Sequence, residues 1–224
     1  MRGSKVDMTL GENEVRVLGS LIEKELTTPE YYPLSLNSLT NACNQKSNRD
    51  PVMTLTEDDV VRALDSLRFR QLVVLSAEGG RVPKYRHLLA EKLGLVPAEQ
   101  AIICELLLRG PQTVGELRTR GERMHPFGDP AAVEEVLQEL MVHETPLITL
   151  MARQPGRKEG RYAQLFSGIP ECVEESSEAR PEPARQRVLA ENERITRLDE
   201  EVAALRGEVA SLQHQMAEFK AQFE

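Results

Sequence analysis

The sequence predicts a mainly α-helical α+β protein: two copies of one three-helix-and-hairpin unit, then a long amphipathic helix. Two observations predict the duplicated part. The order helix, short helix, long helix, strand, Gly-containing turn, strand runs over residues 9–88 and again over 97–167. The apolar blocks also correspond, with Val60-Val61-Arg62-Ala63-Leu64 and Leu72-Val73-Val74-Leu75 matched by Val133-Glu134-Glu135-Val136-Leu137 and Leu147-Ile148-Thr149-Leu150. A third observation, apolar residues seven apart from Val188 to Phe223, predicts the final helix. Three helices followed by a hairpin of this size form a winged helix-turn-helix. The expected organisation is a first winged-helix domain over 9–90, a second over 97–168, an acidic Pro/Glu/Ser linker over 169–185 and a coiled-coil helix over 186–223.

The first helix is expected over about 10–26, capped by Thr9 with Glu12. Val15, Leu18, Leu21 and Ile22 share one face, and Thr27-Thr28-Pro29 ends it. A short helix begins near Ser35, with Leu36 and Leu39 inward, and a polar loop follows from Asn44 to Pro51. The third helix starts at Thr56 with Asp59 three residues on, and buries Val60, Leu64 and Leu67. Strands are expected over 72–76 and 84–88. In the second copy Pro97 sits in the first turn of a helix that Gly110-Pro111 ends, where its missing N–H is harmless. Thr113 and Glu116 cap the short helix, and Asp129-Pro130 opens the long one, expected to end near Glu144. Strands over 147–152 and 161–166 close the unit.

Composition bounds the rest. The 224 residues carry a net charge of −8, with −2 on residues 1–168 and −6 on the tail. Trp is absent and aromatics make up 4%, so the cores must be Leu, Val and Ile. No apolar run approaches the roughly 20 residues that span a bilayer, and the N-terminus has no signal-peptide pattern; a cytoplasmic protein is expected. Cys43 and Cys104 read as small buried side chains, and with Cys172 they form no Cys-x-x-Cys. The histidines are scattered, so neither a metal nor a cofactor is expected.

In the tail, Val188, Ile195, Val202, Val209 and Met216 alternate with Leu198, Leu205, Leu212 and Phe219. β-Branched residues at a with Leu at d favour a parallel two-stranded coil, so these residues are the expected homodimer seam. Arg194 would meet Asp199 of a second copy, and Glu201 its Arg206. The competing reading is a helix folded back on its own domains.

Several stretches resemble the YceH-like family of uncharacterised bacterial proteins. They are Thr27-Thr28-Pro29-Glu30-Tyr31-Tyr32-Pro33-Leu34-Ser35, the run Ala42–Met53, Leu107–Thr113 with Gly115-Glu116-Leu117-Arg118, and Pro155-Gly156-Arg157 with Arg161-Tyr162 and Leu165–Gly168. The resemblance covers roughly residues 9–168. It implies tandem winged helices in a bacterial cytoplasm and no established activity, so no catalytic residue is carried over.

No enzyme constellation is present: there is no phosphate loop, His-Glu metal motif or Gly-x-Ser-x-Gly. Asp58-Asp59 and Glu134-Glu135 are adjacent on helices and point apart. A winged helix normally reads DNA with its third helix. In the first copy that helix starts acidic, with Arg62 and Arg68 further along. In the second, Glu134, Glu135 and Glu139 stand with no Lys or Arg. The basic residues lie in the loop before the first third helix (Lys46 and Arg49, beside Gln45), on the first wing (Arg81, Lys84, Arg86), along the second short helix (Arg118, Arg120, with Arg123 after it) and on the second wing (Arg153, Arg157, Lys158, Arg161). Together with Arg62 and Arg68 they are the candidate nucleic-acid contacts, tracking phosphate with little sequence specificity. Two readings follow. One is a non-enzymatic, dimeric, DNA-associated regulator, preferred narrowly because the fold's base rate favours nucleic acid. The other is a protein–protein adaptor docking through its acidic third helices.

Overall fold

A computed structural model describes residues 9–76, 82–152 and 159–168. The chain divides into two units at Val173, and both repeats lie in the first. The linker and the whole dimer seam, from Val188 to Phe219, fall outside the described residues, as do Arg81, Arg153, Arg157 and Lys158.

The fold is mixed α/β, with about half of the described residues helical and two small antiparallel sheets. The first repeat runs α1 (Glu12–Thr27), a 3₁₀ turn at Pro29–Tyr31, β1 (Leu34–Ser35), α2 (Leu36–Cys43), α3 (Glu57–Phe69), β2 (Val73–Ser76) and β3 (Lys84–His87). A bridging helix, α4 (Leu89–Leu93), leads to α5 (Pro97–Arg109), α6 (Val114–Gly121), α7 (Pro130–Val142), β4 (Ile148–Leu150) and β5 (Tyr162–Gln164).

The caps follow local chemistry. Thr56 Oγ1 accepts from the Asp59 N–H while Asp59 accepts from the Thr56 N–H at 2.9 Å. Thr113 and Glu116 make the same reciprocal pair at α6, and Asp129 accepts from the Ala132 N–H at 2.9 Å. The start of α1 differs from expectation. Gly11 is the cap, and Glu14 accepts its N–H at 2.5 Å. Leu10 is drawn away because its N–H donates to the Phe166 carbonyl at 2.6 Å, tying the chain before α1 to the end of the second repeat.

The first sheet has a strand the sequence reading missed. Leu34 and Ser35 pair with Tyr85 and Lys84, giving the order β1-β3-β2. In the second repeat the counterpart of β1 is a single bridge between Gln112 and Tyr162. The hairpins keep one register rule: Leu75 stands opposite Tyr85 and Leu150 opposite Tyr162.

One continuous core serves both repeats. Val60, Leu64 and Leu67 belong to it together with Val133, Leu137 and Leu140. Helix α1 is buried on more than the expected face: beside Leu18, Leu21 and Ile22, it buries Arg16, Gly19, Ser20 and Glu23. The reason is α5, an apolar helix buried from Ala101 to Leu108, which packs against that second stripe. Gly19 marks the crossing. Its carbonyl accepts from Cys104 Sγ at 3.4 Å, and a Cβ there would meet Leu108 Cδ2 at 2.9 Å and Leu107 Cβ at 3.1 Å. Gly19→Val should therefore overpack the crossing and cost about 1–3 kcal/mol. Urea unfolding checks this; a wild-type midpoint would mean the helices separate freely.

Candidate functional site

The richest polar chemistry lies where the two repeats meet. Glu23, near the end of α1, has a fully buried carboxylate. Arg49, from the α2–α3 loop, clasps it with two donors, Nη1 at 3.2 Å and Nη2 at 2.6 Å. Arg49 also donates to the carbonyls of Ala42 (2.8 and 3.2 Å) and Asn48 (2.8 Å). From the second repeat, Arg123 donates to the same carboxylate, and Lys24 stands 3.5 Å away.

This overturns Arg49 as a nucleic-acid contact. Its guanidinium is spent inside the protein, so it presents no charge to a phosphate outside. The loop around it is a clasp between repeats. The Asp50 N–H donates to the Leu108 carbonyl at 2.9 Å, and Arg109 donates to Asn48 Oδ1. Asn48 adopts a left-handed conformation, φ 58°, which Asn tolerates better than most residues.

A second buried carboxylate, Glu105 on α5, lies 3.1 Å from Arg109 Nε. Gln112 donates to the Glu105 carbonyl at 2.9 Å and accepts from Arg120 at 2.9 Å. Glu116 pairs with Arg120 at 3.4 Å and with Arg161 at 3.2 Å, and Arg161 donates to the Pro111 carbonyl at 2.6 Å.

The two buried acids titrate in opposite directions. Burial pushes Glu23 up, but the Arg49 hydrogen bonds and charge, with Lys24 and Arg123, more than offset it and hold its pKa below the usual 4.5. Burial pushes Glu105 above 4.5, and Arg109 and Arg123 recover only part of that. Glu23 therefore contributes stability at neutral pH that is lost as pH falls through its lowered value. Glu105 does the reverse: its contribution is full below the unfolded value and lost as pH rises through its raised one. Glu105→Gln removes the acid-side compensation. Stability should then fall more steeply between about pH 7 and 4 than in the wild type. Parallel stability–pH curves would overturn this.

The other predicted contacts fare variously. Arg62 is exposed and pairs with Asp59 at 2.8 Å; Arg68 pairs with Asp65 at 3.4 Å. Arg86 pairs with Glu91 at 2.6 Å. Arg120 and Arg161 share Glu116 as above. Lys46 is exposed, Gln45, Lys84 and Arg118 are half-buried, and Lys46, Lys84 and Arg118 make no ion pair among the described residues. The start of α3 stays firmly anionic, because the Thr56 hydroxyl and N–H, with Arg62, hold Asp59 down at about 2. On α7, Glu134, Glu135, Gln138 and Glu139 are exposed, and Val142 follows at 77% exposure. Its three carboxylates make no ion pair among the described residues. Phe69, the last residue of α3, is 92% exposed at the corresponding place.

Burial pushes the Cys43 thiol up to about 11 and the Cys104 thiol well above its ordinary value, which leaves both unreactive packing residues. Among the described residues no helix is long and apolar enough to cross a membrane, and no group of three or more His, Cys, Asp or Glu could hold a metal ion.

Fold and seam together define a class: a duplicated three-helix-and-hairpin protein closed around a buried ionic clasp. The chain belongs to the family described as "Protein of unknown function, DUF480", which it matches over residues 10–157. It is similar to the "UPF0502 protein" of Geotalea daltonii (strain DSM 22248 / JCM 15807 / FRC-32), at 70% identity over 219 residues, 98% of this chain and all of the relative. Those of Geotalea uraniireducens (strain Rf4) and Geobacter metallireducens (strain ATCC 53774 / DSM 7210 / GS-15) are 68% and 64% identical over the same shares. The clasp loop, Asn44 to Pro51, and both buried carboxylates lie inside the matched stretch.

Proposed function

We propose that this is a non-enzymatic tandem winged-helix adaptor that docks a protein partner through the outer face of α7. The observation that carries the reading is the state of the charges. The helix that would enter a major groove presents Glu134, Glu135 and Glu139, which make no ion pair among the described residues. A phosphate backbone meets such a face with like charge. In the first repeat, Arg62 and Arg68 stand among Glu57, Asp58, Asp59 and Asp65, so α3 also lacks a net positive face. The exposed Val142 at the end of α7 gives a docking partner an apolar anchor beside the carboxylates. A partner surface of opposite sign, rich in Lys and Arg, suits this helix.

The DNA-associated reading keeps one specific support, the cations Lys46 and Lys84, which make no ion pair among the described residues. Fluorescence anisotropy with a random-sequence duplex, from about 50 to 200 mM salt, separates the two. The adaptor reading expects no salt-sensitive binding. It also expects that Glu134→Lys, Glu135→Lys and Glu139→Lys together abolish partner capture from nuclease-treated extract. Duplex binding that falls steeply with salt and disappears on changing Arg81, Lys84, Arg157 and Lys158 would replace it with the regulator reading.

A further inference from the structure

Strand β2 is a free edge of the first sheet. In the order β1-β3-β2 it pairs on one side only, with β3. The phase of that ladder is set by the Leu88 N–H, which donates to the Leu72 carbonyl at 2.8 Å. Hydrogen-bonded and non-hydrogen-bonded pairs alternate along an antiparallel ladder, so Val74 and Ser76 bond to β3 while Val73 and Leu75 turn their N–H and C=O groups outward. The His87 N–H, opposite Val73, agrees: it points away from β2 and donates to the Tyr32 hydroxyl at 2.8 Å. On the outward side neither Val73 nor Leu75 makes a main-chain hydrogen bond among the described residues. Edge strands are commonly guarded against pairing by charge or proline. The run Val73-Val74-Leu75-Ser76 has neither, and Leu75 is 39% exposed. A cleft of about 500 Å³ opens beside the same strand. Val73 and Val74 both line it, although successive strand side chains point to opposite faces, so it meets β2 at its edge. Leu88 adds to the apolar lining, and Glu91 on α4 stands at the rim.

We propose that β2 is a self-pairing edge, to which a second copy of this chain adds its own β2, antiparallel, across a two-fold axis. The outward groups fit that operator. Val73 of each copy stands opposite Leu75 of the other, each pair exchanging both of its N–H···O bonds, and Val74 stands opposite itself on the axis as a non-hydrogen-bonded pair. The contact is isologous and closes on itself. Near such an axis a charge meets its like, and like charges directly opposite are destabilising. β2 brings no charge to it. Antiparallel pairing also sets the wing end of each copy against the cleft end of the other. Leu75 of one copy then covers the Val73 wall of the other's cleft. Lys84, which makes no ion pair among the described residues, comes to the end where the Glu91 side chain is 66% exposed. The two sheets become one, and the exposed leucine and the open cleft are buried together.

The test uses the full chain, with Cys172→Ser throughout so that only buried native thiols remain. Non-hydrogen-bonded antiparallel partners stand about 4.5 Å apart at Cα, inside the span of a disulfide. Val74→Cys should therefore form a covalent dimer under mild oxidation, read on a non-reducing gel. Arg62→Cys, exposed on α3, should not. Adding Leu75→Pro to Val74→Cys removes an outward N–H that β3 does not use, so the hairpin keeps its ladder while the cross-link is lost. The helical spectrum should be unchanged in that variant. Hydrogen exchange supplies a readout without substitution: the Val73 and Leu75 amides should exchange slowly in concentrated protein and lose that protection on dilution. Equal cross-linking of Val74→Cys and Arg62→Cys would overturn the pairing, because a dimer held elsewhere in the chain does not favour β2. Cross-linking that survives Leu75→Pro would overturn it as well. Freely exchanging amides at every concentration, with no cross-link at Val74, would also overturn it and leave the edge to a strand of another protein. The α7 charge-reversal chain should cross-link normally, so failure of the adaptor reading leaves this test standing.

Discussion

Arg49→Ala is expected to cost about 3–5 kcal/mol of folding stability, the range for breaking a buried ion pair by removing one partner. The side chain is fully buried and serves three acceptors: Glu23 and the carbonyls of Ala42 and Asn48. Without it, Glu23 keeps Arg123 and Lys24 but loses the bidentate partner that most opposes its desolvation. The Ala42 carbonyl is orphaned at the same time, and an unsatisfied buried acceptor adds about 1–3 kcal/mol. Glu23→Ala should be similarly damaging, because it leaves Arg49 charged and unpaired. The double variant should cost well less than the sum, since neither charge is then stranded. Urea unfolding followed by circular dichroism measures all three. A loss under about 1 kcal/mol for Arg49→Ala would mean that the guanidinium finds solvent easily, and would restore it to the list of outward-facing cations.

That residue also shows what the sequence could and could not disclose. The caps at Thr56, Thr113 and Asp129 were legible because a cap is a local bargain between residues three apart. The α5 boundaries at Pro97 and Arg109 were legible for the same reason, with Pro and Gly as punctuation. The second buried stripe of α1 was not. Arg16, Gly19, Ser20 and Glu23 are polar or small, and hydropathy assigns such a stripe to solvent. Their spacing of three, four and seven was the available signal, and only the helix that covers them gives it meaning. β1 is two residues long and pairs across about 50 residues of chain, so no local pattern announces it. Arg49 lies in a loop whose composition reads as surface. Its burial depends on Glu23, 26 residues away, and on Leu108, whose carbonyl holds the neighbouring Asp50. The outer face of α7, by contrast, was readable, because exposed charge at helical spacing needs no partner to interpret.

Separating the repeats is expected to unfold them. A chain of residues 9–95 alone should show no cooperative thermal transition, and residues 96–168 alone should behave likewise. Each half would expose surface that the intact fold buries: the Gly19 stripe of α1 on one side, and Leu107, Leu108 and Cys104 of α5 on the other. Fully exposing one Leu-sized side chain costs about 1.5–3 kcal/mol. Small domains have only about 5–15 kcal/mol in hand. Each half would also lose polar contacts at the join: Glu23 would keep Arg49 but lose Arg123, and Arg109 would keep Glu105 but lose Asn48. The two fragments mixed should recover the helical spectrum, because the α1–α5 crossing, the Leu10–Phe166 hydrogen bond and the clasp loop all re-form without a covalent link. If the 9–95 fragment unfolds cooperatively near the wild-type midpoint, the repeats are independent heads on a string. Otherwise α3 and α7 are presented at a fixed mutual geometry, and any partner must satisfy both helices at once.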